Sequence, residues 1–325
     1  MPRRIAAAAL AWLALALGAA GARAEDYPTR PVRIVVGFPA GSAGDLAART
    51  VAGQLSQAMG QQFVIENRPG ASSSTAAIVA AKADKDGYTL YQTTNANVVN
   101  KILKPELAFD LTRDFAPIAL TASVPVLLVA NASLGVSNVK ELVELARRKP
   151  GELNYASTGV TTTLHLAGEL LNARAGIKLV HIPYQGSPQA VTDLIAGRVQ
   201  VMFVSASSVL PQVAAGTLKP LATAAMKRSA IVPDLPTTAE QGFPDLAAGL
   251  WFGLMAPRGT PDAIVAKLGK ATNDALREPA VIEALKRQGF DAGGGTPDEF
   301  ARFLADETAK WTAAAKAAGV LAAGN

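Results

Sequence analysis

The chain contains no cysteine. That excludes disulfides, thiolate metal sites and lipid attachment through cysteine, so the protein is expected to be indifferent to redox state. Histidine is nearly as scarce, with only His165 and His181 present. Aromatic residues make up 6% of the sequence and no run of lysine or arginine occurs, so it carries no nucleic-acid footprint. HExxH, Walker and GxGxxG patterns are missing, and Asp and Glu are scattered without the spacing of a metal site. Neither a metal nor a cofactor is therefore expected. Beyond the N-terminus, no apolar stretch is long enough to span a bilayer.

What the N-terminus does contain is an export signal. Arg3 and Arg4 precede an uncharged run from Ile5 to Leu17, and Ala22-Arg23-Ala24 fits the small-x-small rule for cleavage after Ala24. The apolar core is shorter than the roughly 20 residues of a spanning helix. Residues 1–24 therefore read as a secretory signal peptide, and the mature protein as periplasmic. Loss of Arg3, Arg4 and Arg23 reduces 31 basic residues to 28 against 26 acidic ones, so the net charge falls from +5 to +2. The remaining 301 residues are comfortable for two domains.

Short β-branched runs then alternate with amphipathic helical segments. Val32–Val36, Phe63–Ile65 and Tyr88–Gln92 read as strands, with helices through Leu46–Leu55 and Thr75–Lys82 between them. This βαβαβ rhythm implies parallel strands joined by right-handed crossovers. Pro117–Leu120 and Val124–Ala130 follow without an intervening helix, which places a crossing into a second lobe there. That lobe repeats the alternation: helix Val139–Lys149, strand Leu153–Ala156, helix Leu164–Ala173, strand Leu179–Ile182, helix Pro188–Ala196, strands Val199–Val204 and Leu218–Ala224. The chain is expected to return to the first lobe near Trp251. Thr260-Pro261-Asp262 and Thr296-Pro297-Asp298-Glu299 each look like an N-cap threonine before an N1 proline, the second with a capping box. Gly289 reads as a helix stop, and the Ala-rich tail from Trp311 as a docked surface helix.

Four loops share Gly and hydroxyl residues between a strand end and a helix start. They are Ala40-Gly41-Ser42-Ala43-Gly44, Gly70-Ala71-Ser72-Ser73-Ser74, Ser157-Thr158-Gly159-Val160-Thr161-Thr162-Thr163 and Gln185-Gly186-Ser187. Such loops lie at the carboxyl edge of an open parallel sheet, where free N–H groups and the positive ends of helix dipoles favour an anion. Without a basic cluster, that anion should be a carboxylate rather than a polyphosphate. Any single loop could be ordinary helix capping; two from each half are informative. A serine hydrolase using Ser42 is the alternative, since residues 40–44 fall one short of Gly-x-Ser-x-Gly. Its histidine should come late in the chain, yet nothing follows His181. His165 and His181 read as structural.

Taken in order, several segments resemble the receptor proteins of tripartite tricarboxylate transporters, the Bug family of periplasmic solute receptors. They are Phe38-Pro39-Ala40-Gly41 through Asp45 with Ala48-Arg49, Asn67-Arg68-Pro69-Gly70-Ala71, Asp86-Gly87-Tyr88-Thr89-Leu90, and Tyr155-Ala156-Ser157 with His165-Leu166. Pro183-Tyr184-Gln185-Gly186, Ala196-Gly197, Pro236-Thr237 with Glu240 and Gly242, Trp251, and Pro257 with Gly259-Thr260-Pro261 complete the series. The resemblance runs from Tyr27-Pro28 to the C-terminus.

It implies an α/β two-lobed periplasmic-binding-protein (Venus flytrap) fold, each lobe a mostly parallel sheet flanked by helices, and no catalysis. Residues 25–125 plus 248–325 would form lobe 1 and residues 126–247 lobe 2. The implied role is capture of a small organic carboxylate in the cleft for delivery to the membrane permease subunits, by a monomer. The ligand set, from these loops and from the resemblance, comprises Phe38, Ala40, Gly41, Ser42, Ala43, Gly44, Ser72, Ser73, Thr93, Thr94, Ser157, Thr158, Gly159, Thr161, Thr162, Gln185 and Ser205. Ser42 and Ser72-Ser73-Ser74 depart from glycines usual in the family, and Val204-Ser205-Ala206 from an aspartate common there.

Overall fold

The computed structural model describes residues 27–159, 162–184, 187–317, 319 and 321, without the side chains of Ser72 and Ala317. The export signal and its cleavage position lie outside the described residues, as do Thr161 and Gln185.

In chain order the elements of the first part are β1 (Val32–Val36), α1 (Ala43–Met59), β2 (Phe63–Asn67), α2 (Ser74–Ala81), β3 (Thr89–Thr94), α3 (Asn95–Leu103), α4 (Leu111–Asp114) and β4 (Phe115–Val124). The middle part runs β5 (Val126–Asn131), α5 (Val139–Arg148), β6 (Asn154–Ser157), α6 (Thr163–Ala175), β7 (Val180–Pro183), α7 (Ser187–Ile195), β8 (Val201–Ser205), α8 (Leu210–Ala214) and β9 (Leu218–Thr223). The last part is β10 (Leu250–Pro257), α9 (Asp262–Arg277), α10 (Pro279–Arg287), β11 (Asp291–Gly294) and α11 (Pro297–Ala317).

Two sheets define two lobes. The first has the order β11-β4-β10-β3-β1-β2 and the second β7-β6-β8-β5-β9. β1 pairs in parallel with β2 and β3, and β6 with β7 and β8. The remaining pairings, of β10 with β3 and β4, β11 with β4, and β5 with β8 and β9, are antiparallel. The sheets are thus mixed rather than mostly parallel. Helical crossovers enforce parallel pairing among β1, β2 and β3 and among β6, β7 and β8, whereas the strands that pass between lobes run the other way.

Only Pro125 separates β4 of the first sheet from β5 of the second, and the chain returns just before Leu250. Val124 pairs with Leu250, so the two crossing segments lie side by side. The first strand after the crossing, β5, is covered on both faces: every residue of Val126–Asn131 is buried. Near-continuous runs of this kind belong to strands covered by helices on both sides.

α11 packs on β4 and α3 of the first lobe and also on α6 of the second. Trp311, 1% exposed, with Ala314 and Ala315 anchors it, so the tail is a docked helix. Its capping box is formed: the Thr296 amide donates to Glu299 Oε2 (2.7 Å) and the Glu299 amide to Thr296 Oγ1 (3.2 Å). Thr260 behaves differently from its expectation as N-cap. Its hydroxyl donates to the Pro257 carbonyl (2.8 Å), and α9 begins at Asp262 with Pro261 as its cap residue. The threonine closes the turn after β10 instead. α3, which follows β3 without a loop, was not legible in the sequence.

Candidate functional site

Three helices start at one cavity of about 360 Å³ between the lobes. Ser42, Ala43 and Gly44 bring the start of α1, and Thr94, Asn95 and Ala96 the start of α3. Thr162, Thr163 and Leu164, with Thr158 before them, bring the start of α6 from the second lobe. Each helix follows the carboxyl end of a parallel strand, β1, β3 or β6. The positive ends of three macrodipoles therefore point at one space.

The sequence sets each start locally. Ser42 is extended (φ −72°, ψ 164°) and its hydroxyl accepts from the Asp45 amide at 3.4 Å. Gly41 supplies the turn before it, at φ +78°, where a side chain would be strained. Thr162 caps α6 by accepting from the His165 amide at 3.2 Å. At α3 the Asn97 side chain reaches back to accept from the Thr94 amide at 3.1 Å. These caps take up only some of the free N–H groups of each first turn.

Among the described residues, none that lines the cavity carries a charged side chain. Asp45, the acid nearest in sequence to the first loop, is buried and spent on its own helix. Its Oδ2 accepts from the Gly41 amide (2.8 Å) and Arg49 Nε (2.9 Å), and its Oδ1 from Asn67 Nδ2 (2.8 Å). Burial pushes this carboxyl up, but the bonds from Arg49, Asn67 and Gly41 outweigh it and hold the group below the usual carboxylate range. Apolar walls complete the space: Phe38 meets Phe252 edge to face with centroids 6.2 Å apart, beside Val99, Leu164 and Leu250.

Of the residues singled out from sequence, Phe38, Ser42, Ala43, Gly44, Thr94, Thr158 and Thr162 line this cavity. Ala40 and Gly41 are exposed in the loop beside it, and Gly159 stands behind Thr158, accepting from the Thr162 hydroxyl at 2.9 Å. Ser73 is buried with its hydroxyl on Tyr91 Oη (3.0 Å), so its side chain braces β3 and does not line this cavity. Thr93 is buried, and Ser205 Oγ pairs with Ser208 Oγ at 2.8 Å. The residues missed are Asn95, Ala96, Val99, Asn100 and Leu164, together with Leu250 and Phe252 of the returning strand. Thr163 ends the candidate loop and adjoins Leu164; nothing in the local pattern pointed to α3 or β10.

Ser157 is fully buried and occupied by lobe 2 itself. Its hydroxyl lies 2.7 Å from His181 Nε2, accepts from the Gly159 amide (3.2 Å) and contacts the Gly159 carbonyl (3.1 Å). The His181 ring stacks on Tyr155 and lies 4.2 Å from the His165 ring, centroid to centroid. Burial, aided by His165 and opposed by Glu169, pulls His181 down to about 4. Both histidines are thus packed and neutral at pH 7, as a structural role requires. Both belong to the second lobe, whereas Ser42 is in the first with its hydroxyl engaged as a helix cap. The Ser42 hydrolase reading has no support.

Among the described residues, no group of His, Asp and Glu converges as a metal site, and no helix is long and apolar enough to cross a membrane. Two α/β lobes around a cavity ringed by helix starts have the architecture of a solute-binding protein. Residues 47–320 match the family model of the tripartite tricarboxylate transporter family receptor, and the chain belongs to that family. It is 35% identical to the protein BugT of Bordetella pertussis over 303 residues, 93% of each chain. The structure resembles Rhodopseudomonas palustris Rpa4515 with adipate, at 37% identity and a TM-score of 0.76, covering 90% of this chain and 98% of the other. It also resembles MatC of Rhodopseudomonas palustris with bound malate, at 32% identity and a TM-score of 0.71, covering 89% and 99%. Receptors of this family are periplasmic.

Proposed function

We propose that the cavity captures a small organic mono- or dicarboxylate without an amino group and that lobe closure delivers it to the permease subunits of a tripartite tricarboxylate-type transporter. The observation that carries this reading is the convergence of three helix starts on a space that, among the described residues, no charged side chain lines. A carboxylate there meets N–H and hydroxyl donors, each charge-assisted bond being worth about 1.5–3 kcal/mol. An ammonium would lose its hydration and find no anionic partner, at a cost of several kcal/mol. Phe38, Leu250 and Phe252 give the carbon skeleton an apolar wall, which suits an acid with an aliphatic or aromatic body. The adipate and malate bound by relatives are acids of this class.

In this reading the ligand contacts come from Phe38, Ser42 to Gly44, Thr94, Asn95, Thr158, Thr162 and Thr163. The lobes divide near residues 125 and 247, the molecule works as a monomer, and it matures by cleavage after Ala24. Mass spectrometry of exported protein should then show Glu25 as the first residue; retention of residues 1–24 contradicts the processing claim.

Titration calorimetry tests the charge preference on ligand-free protein. Adipate and other short dicarboxylates should bind, and α-amino acids should not. Tight binding of an amino acid, with its deaminated counterpart weak or silent, would overturn the argument.

A further inference from the structure

The interlobe cavity is not the largest in the molecule. A second one, of about 830 Å³, shares only Leu250 with it and is otherwise built from different residues. Both chain crossings contribute, through Val124-Pro125 and Gly249-Leu250, as does the loop after β9 from Thr223 to Ala230.

One wall is aromatic. Trp251 and Phe303 meet edge to face with centroids 5.2 Å apart, and the indole N–H of Trp251 is turned away to Glu307 Oε2 at 2.7 Å. That carboxylate also accepts from Trp311 Nε1 at 2.9 Å and is paired with Lys310. The two indole N–H groups are therefore satisfied within the wall, whose apolar part is extended by Leu120 and Val124. Met226, 60% exposed, forms an apolar lip.

The rim carries Lys227, Arg228 and Lys310 against the carboxylates Asp291 and Glu307. Arg228 is bound to Glu240 and Lys310 to Glu307, and Asp291 accepts from the Ser229 hydroxyl at 2.7 Å. Lys227 has no ionic or hydrogen-bonding partner among the described residues and is exposed beside Met226. An aromatic floor with one unmatched ammonium at its edge is complementary to a ring bearing an acid group.

We propose that this hinge cavity is a second ligand site, which takes an aromatic organic anion with its ring against Trp251 and Phe303 and its acid group at Lys227. It is distinct from the interlobe cavity and wide enough for a larger molecule than that cavity holds. Capture in the cleft and occupancy at the hinge are therefore separable by mutation.

The test uses the full mature chain and the fluorescent aryl sulfonate 1-anilinonaphthalene-8-sulfonate. Titration should show one saturable site. Ala225→Trp, which fills the cavity, and Lys227→Glu, which reverses the rim charge, should each weaken it tenfold or more. Ala43→Trp, which obstructs the interlobe cavity from an exposed position, should leave it unchanged. Binding that survives both hinge variants, or that is lost in Ala43→Trp, overturns the proposal. Lys227 lies on the surface, so Lys227→Glu decides the matter even if Ala225→Trp fails to fold.

Discussion

Asn95 of the first lobe donates a 3.0 Å hydrogen bond from its Nδ2 to Thr163 Oγ1 of the second, and both residues are buried. Each is the first residue of a helix, α3 and α6, and both line the interlobe cavity. The bond therefore ties two of the three helix starts together across the cleft. Thr94 Oγ1 donates to Asn95 Oδ1 at 2.9 Å, which fixes the amide orientation.

Loss of this tie should weaken capture. A neutral hydrogen bond contributes about 0.5–1.5 kcal/mol, so Asn95→Ala should reduce adipate affinity by roughly twofold to tenfold. Thr163→Val should do the same, and the double variant should lose less than the sum. Strict additivity in calorimetry would show that the two residues act independently.

Gly44 is the position where space is tightest around the aromatic wall. A Cβ there would lie 2.6 Å from Phe38 Cδ2 and 3.2 Å from Phe252 Cε1. Gly44→Ala should push the Phe38 ring out of place, and overpacking of this kind costs about 1–3 kcal/mol. Adipate affinity should fall about tenfold or more while the fold persists. An unchanged affinity would remove Phe38 from the binding wall.

His181 gives stability a pH dependence of defined sign. Burial first, then the neighbouring His165, lowers its value from 6.5 to about 4, and burial lowers His165 as well. Below 6.5 the unfolded chain takes up a proton that the folded ring refuses, so stability is lost as pH falls from about 6.5 towards about 4. The lowered carboxylates, Asp45 among them, lose their contribution only at more acid pH. Denaturant unfolding at pH 7 and pH 5 should therefore show a less stable protein at pH 5. His181→Phe should flatten the difference, and an equal slope in the variant would refute the assignment.

Closure requires that the two crossing segments bend together. Val124 and Leu250 are paired, so rotation at one must be matched at the other. Saturating adipate should reduce the radius of gyration in small-angle scattering. No decrease would argue against a closing cleft.

Most strands and helices were readable from local pattern. Ile34–Val36 and Val126–Ala130 are unbroken apolar runs, and α1 starts at a Gly-Ser-x-x-Asp cap visible in the sequence. Thr260 misled because a threonine before Pro-Asp is a good cap by composition, yet its hydroxyl found the Pro257 carbonyl first. Ser73 lies in a loop of similar composition. A hydroxyl-rich loop at a strand end has the chemistry of a site, but which way it faces depends on the neighbouring strand. Here Ser73 turned onto Tyr91.

The sequence by itself determined the two-lobed α/β class, the family and the strand-to-helix loops that lead into α1 and α6, because caps, periodicity and ordered motifs are local. The tertiary structure alone decided that α3 supplies the third helix start, that Leu250 and Phe252 return to wall the cavity, and that Ser157 belongs to His181. It also turned mostly parallel sheets into mixed ones. Those outcomes depend on residues far apart in the chain meeting across two lobes, and no local pattern encodes the direction from which a strand enters a sheet.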